Sequence, residues 1–333
     1  MKTTSEINRQ HKYLKSLETE YLKLLRSESN KAIHLFDEKI SDLERQERYL
    51  EFRPTLDKLR EPFKQIILER NKFAQMLDMD NFFMYLAVMR DFDPYRLKEY
   101  FDTVDNFIAL VHSGFPSTEI FKEEKEWTML HLPHPYGGRW FNVRFKSFDY
   151  IMDLIAKYDE RVKKYRNRIK VKIVNSDYSE YDYIPKKDVI EIKLNKDVDN
   201  SEKPTTFVYE LSGALEAFER LEKGEEPQPE TKYKNELVAD KFVFEFVKRE
   251  YTERAQKIFR YNMLRKITSA LFEKVIYDCD KLNFDELYAS IINRCYPMAN
   301  QTTNPFYLLD ENLIAVPLED LLHSIGYVEL YLK

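Results

Sequence analysis

Tyr209-Glu210-Leu211-Ser212-Gly213 lies in FVYELSGALEAFERL, residues 207–221, whose apolar residues recur at helical spacing. A later stretch of the same kind, KNELVADKFVFEFV, sets Glu236 and Asp240 one turn apart. Carboxylates placed this way can hold a cation, or take a proton from a water kept beside them. The residues around Glu210 bring less. Glycine ligates nothing, and a phenol with an ordinary pKa near ~10 must lose its proton before it binds as an anion. Glu216 and Glu219 could join Glu236 around Mg²⁺ or Ca²⁺, but their spacing specifies nothing further.

With histidines at 209 and 213 the first helix would read H-E-x-x-H. The two helices together resemble the gluzincin-type zinc metallopeptidases, over residues 168–250 of 333. In that family the motif histidines and a glutamate from the following helix bind zinc, an aspartate steadies a ligand histidine, and the motif glutamate takes the proton of the zinc-bound water. The resemblance implies that Glu236 and Asp240, in an E-x-x-A-D pattern, are former metal-site positions and that Glu210 is a catalytic remnant. It implies equally that Tyr209 and Gly213 are former metal-site positions. Gly213 then leaves room for another side chain or backbone to approach, and the Tyr209 hydroxyl could tie to Asp240.

On this reading no cofactor, and no zinc, is expected. The expected function is a noncatalytic structural or regulatory protein-interaction protein, an inactive relative of zinc peptidases. Two alternatives stay open: a metal-dependent hydrolase with a remodelled site around Glu210 and Glu236, and a nucleic-acid-binding protein.

The last alternative rests on a basic run, KKYRNRIKVK, in which Lys163, Lys164, Arg166 and Arg168 could contact phosphates while Tyr165 stacks on a base. The same run reads as a solvated strand face, with Ile169, Val171 and Ile173 inward and the lysines outward. His131 and His134, in HLPHPYGGRWFNVRF, could ligate a metal or move protons. Pro133 and Pro135 break any helix that would align them, so a structured loop over 131–139 leading into a short strand is the simpler expectation.

These residues need a scaffold, and the pattern is that of a mainly helical α+β protein. A polar helix runs from about residue 5 to 51, with Leu14, Leu17, Tyr21 and Leu24 at coiled-coil spacing and a phase break at 27–30. It reads as a self-association or partner-binding coil, or as a helical hairpin packed on its own domain. Pro54 and Pro62 punctuate the next stretch, and Pro62 is expected in the first turn of a helix reaching about 77. Further helices are expected at 78–90, at 94–113 behind the N-cap Asp93, and at 147–166. RIKVKIV and DVIEIKLN form a pair of charged-faced strands before the zincin-like helix pair. A helical cap comes last, with a helix started by Pro317 ending near Gly326. The expected division is an arm over 1–53, a helical domain over 54–166, and a sheet with the helix pair and cap over 167–333.

Composition narrows the classes. The chain is 43% hydrophobic and 33% charged, with 23 Tyr and 23 Phe against 6 Gly, which suits a helix-rich protein with an aromatic core and leaves little room for glycine-rich phosphate cradles. A net charge of -5 is too small to draw DNA or an anionic membrane by bulk field. Two cysteines give no disulfide framework. The N-terminus lacks an apolar leader, and no window reaches the roughly 18 apolar residues a membrane span needs, so a cytoplasmic location without membrane partners is expected. The expected partner is a protein, or a second copy held through the N-terminal helices.

Overall fold

The structure is a computed structural model that describes residues 3–32, 42–113, 146–176, 179–196, 198, 202–227, 232–278, 283–296 and 303–332. It is mainly helical with one small sheet, the α+β class expected. The contacts divide it into two compact units, Met1–Gly137 with Asn262–Ser324, and Gly138–Tyr261 with Ile325–Lys333. This division differs from the three consecutive segments drawn from the sequence. The loop with His131 and His134 lies outside the described residues.

In the first unit, α1 (Thr4–Ala32) lies antiparallel on α2 (Asp42–Met76), as a helical hairpin would. Leu14, Tyr21 and Leu25 are buried, and α1 runs through 27–30 without interruption. The expectation at Pro54 and Pro62 is corrected, because both lie inside α2. Each removes one helical hydrogen bond, but Pro54 is exposed and Pro62 half-buried, so the freed carbonyls can turn to water while Phe52, Leu56, Leu59, Phe63 and Ile66 hold the inner face. α3 (Phe82–Met89) and α4 (Pro94–Ser113) come next, the latter with the Tyr95 amide donating to the Asp93 carboxylate at 2.9 Å.

Phe63 is the hub of this core, with its ring 5.1 Å from Tyr307, 5.8 Å from Phe284 and 5.9 Å from Tyr21. Beside it the buried Arg70 donates to the Glu18 carboxylate at 2.9 Å, the Tyr277 hydroxyl at 2.8 Å, and the carbonyls of Leu313 and Ile314 at 2.7 and 2.8 Å.

The second unit opens with α5 (Phe148–Ile155), capped by Ser147, and α6 (Glu160–Tyr165), capped by Asp159. A turn at 156–159 divides the single helix expected there, because Asp159 takes an N-cap geometry and starts a second one. The sheet has three strands, β1 (Ile169–Val174), β2 (Glu180–Ile184) and β3 (Val189–Asn195), in the order β1-β3-β2. β1 runs parallel to β3 and β2 antiparallel to it. In the sequence RIKVKIV and DVIEIKLN stand out as a pair, and the strand between them goes unmarked. Ile190, Ile192 and Leu194 are fully buried; Ile173, paired with Leu194 and so on the inner face as expected, is nevertheless 50% exposed.

α7 (Lys203–Glu222) starts with Pro204 in its first turn and buries Phe207, Val208, Leu211, Ala214, Leu215 and Phe218 at spacings of one, three and four. α8 (Lys232–Glu250) does the same with Ala239, Val243, Phe246 and Val247, and packs on α7. α9 (Glu253–Asp278), α10 (Phe284–Cys295), α11 (Asn312–Ala315) and α12 (Glu319–Leu332) complete the chain. The helix expected to stop near Gly326 continues to Leu332. Gly326 serves a close approach instead, for a Cβ there would stand 3.1 Å from Asp240 Oδ2 and 3.2 Å from Leu237 Cδ2.

Candidate functional site

The helix pair brings the acidic residues singled out from the sequence into one unit. On α7, Glu210 is only 8% exposed, between the buried Val208 and Leu211, while Tyr209 and Gly213 are half-buried. On α8, Glu236 is buried and Asp240 fully so. Burial pushes the Glu210 carboxyl up to about 7, and the negative charge of Glu180 on β2 adds to the effect.

Tyr181 decides the character of the site. It stands opposite Ile192 in the sheet and therefore on the same face, the one turned to α7. Its ring fills the notch at Gly213. A Cβ on Gly213 would collide with Cε1 of that ring and lie 2.9 Å from Cζ and 3.0 Å from Cδ1. The second position of the would-be motif is thus occupied by a phenol from the edge strand. Burial, then the charges of Glu210, Glu216 and Glu236, push that phenol up to about 12, so it is a neutral hydrogen-bonding group near pH 7. No feature of SDYSEYDYIPKK, read as a connection, marked Tyr181 for this place.

On the opposite face, Lys193 of β3 pairs with Glu180 at 3.0 Å and with Asp182, which raises the lysine pKa. The pairing holds the edge strand that carries Tyr181 against its neighbour.

The four basic residues that could contact phosphates are bound up in ion pairs. Lys163 meets Glu160 at 2.6 Å, Lys164 meets Glu222 at 2.6 Å, Arg166 meets Asp149 and Asp153, and Arg168 meets Asp188. Tyr165, expected as a stacking platform, is 1% exposed and stacks on Phe218 with ring centroids 4.8 Å apart. It is a core residue.

No protein-family profile and no curated protein matches the sequence. Solved structures do match it. PZ peptidase A, solved with an inhibitor, superposes with a TM-score of 0.63 at 12% identity, over 97% of this chain and 66% of its own. A protein described as an oligoendopeptidase F superposes with a TM-score of 0.66 at 12% identity, with the same coverage. An oligoendopeptidase F from Bacillus anthracis str. Ames gives 0.56 at 14% identity, over 94% and 64%.

The fold is that of the oligoendopeptidases. The chain spans 64–66% of the length of these relatives in structure. The metallopeptidase-like fold inferred from Glu210, Glu236, Ala239 and Asp240 is therefore supported over nearly the whole chain, beyond residues 168–250.

The expectation that zinc is excluded is corrected. The superposed structures are peptidases by their descriptions, and this chain carries donors of the kinds zinc takes outside positions 209 and 213. They are Glu236 on α8, and Glu319 and His323 one turn apart on α12. In the sequence the last two read as part of an ordinary cap, although a carboxylate and an imidazole at i and i+4 share a helix face. No helix among the described residues is long and apolar enough to cross a membrane.

Proposed function

We propose that this chain is a noncatalytic, cytoplasmic protein-interaction protein built on the oligoendopeptidase fold, in which the place of the paired motif imidazoles has become a packing site. The observation that carries this reading is the Tyr181 ring in the notch at Gly213. A side chain there blocks the approach of water and substrate to Glu210 from that side, and no imidazole at 209 or 213 presents a metal-bound water to it. Zinc binding and hydrolysis are separate properties on this reading. An ion held by donors outside the motif would contribute to folding energy without activating a nucleophile at Glu210.

The second reading is the remodelled metal-dependent hydrolase, favoured by one observation. Glu210, with a pKa of about 7, is suited to general-base work near neutral pH.

One experiment separates them. Metal content is measured on the purified protein, and cleavage of a fluorogenic peptide library is followed with and without added zinc. The noncatalytic reading expects no turnover above background even in zinc-loaded protein. Turnover that disappears in Glu210→Gln while the metal content holds would establish the hydrolase.

A further inference from the structure

The outer edge of β1 has a polarity of its own. The carbonyl of Val174 accepts from the Lys196 amide at 2.9 Å, so Val174 turns its backbone groups toward β3. The amide and carbonyl of one strand residue point the same way, and the direction alternates from residue to residue. Lys170 and Lys172 therefore bond inward, while the N–H and C=O groups of Val171 and Ile173 point outward. Among the described residues β1 pairs only with β3. This is an open template for another strand.

The side chains say which strand would fit. On the face of Lys193 the charges form a graded ladder across the sheet. Glu180 and Asp182 of β2 are matched by Lys193, and Glu191 of β3 is matched by Lys172 at 2.7 Å. Lys170, opposite Glu191 in the register, is exposed and forms no ion pair among the described residues. The next strand outward should carry the counter-charge. On the other face the half-exposed Ile173 and Val171 offer an apolar strip. A second copy pairing through the same edge would set its own lysines on the face already holding Lys170 and Lys172, and like charges oppose that pairing.

We propose that β1 takes an extended segment of a partner protein by strand addition, the segment alternating Asp or Glu on the lysine face with apolar residues on the Ile173 face. This surface is independent of the site at Glu210.

The probe is a fluorescein-labelled nine-residue peptide in which glutamate alternates with valine or threonine, beside a control with lysine in place of glutamate. Anisotropy should show binding of the glutamate peptide only, falling at least tenfold in Lys170→Glu and weakening with salt. Hydrogen exchange on the unaltered protein should slow at the Val171 and Ile173 amides when that peptide is added. Binding of both peptides alike, unchanged exchange at those amides, or dimerisation of the chain lost on Ile173→Glu would each overturn the proposal.

Discussion

Gly213 and Tyr181 behave as one unit of structure. Substituting alanine at 213 puts a Cβ against the Tyr181 ring, and overpacking of a well-filled site costs about 1–3 kcal/mol. Urea denaturation should show that loss in Gly213→Ala and its recovery when Tyr181→Ala is added; equal losses with and without the second change would mean the two are uncoupled. Glu210 gives a pH signature. Its carboxyl loses its proton near 4.5 when unfolded and near 7 when folded, so between these values the folded chain holds the extra proton. Stability then falls as pH rises through that window, by an amount on the order of 3 kcal/mol, and stays lower above it. Glu210→Gln should flatten that part of the stability–pH curve. Of this pair of features the sequence displayed only one half. The glycine was visible as a vacancy at a motif position, but its occupant comes from a strand distant in sequence, and nothing local to Tyr181 reports that neighbour.

Elements that bury one regular face were legible, and those defined by what packs on them were not. α4, α7, α8 and α10 show their apolar periodicity, three- and four-residue steps ending in buried side chains. β2 reads as a loop because Ile184 is its one aliphatic residue among charged and tyrosyl ones, and every residue is half-buried, so no buried-to-exposed alternation marks it. Pro54 and Pro62 misled for a related reason, since the cost of a helical proline is local whereas the packing of α2 is spread along 35 residues. Arg70 is the sharpest case of an element held by something its own periodicity hides. From α2 it satisfies a carboxylate on α1, a hydroxyl on α9 and two carbonyls of α11. Arg70→Ala should cost about 3–5 kcal/mol, because Glu18 is left buried without its cation. A shift in the urea midpoint that corresponds to less than 1 kcal/mol would show that water takes over the guanidinium's role.

At the scale of the molecule, the two units interleave along the chain rather than succeed one another. A fragment of residues 1–137 keeps α1 to α4 but loses the rings of Phe284 and Tyr307 from around Phe63 and the Tyr277 hydroxyl from Arg70. It should show helical circular dichroism without a cooperative urea transition; a sharp transition would mean that the helical hairpin carries its own core.

The same interleaving bears on biosynthesis. After residue 137 leaves the ribosome, its unit cannot close until residues up to 324 have been added, which takes roughly 10–40 s at about 5–20 residues per second. Throughout that interval the part of α2 that meets Phe284 and Tyr307 has no lasting cover, while the intervening unit is already being made. A nascent chain in this state is a natural client for a chaperone, and slowing or pausing translation beyond residue 137 would lengthen its exposure.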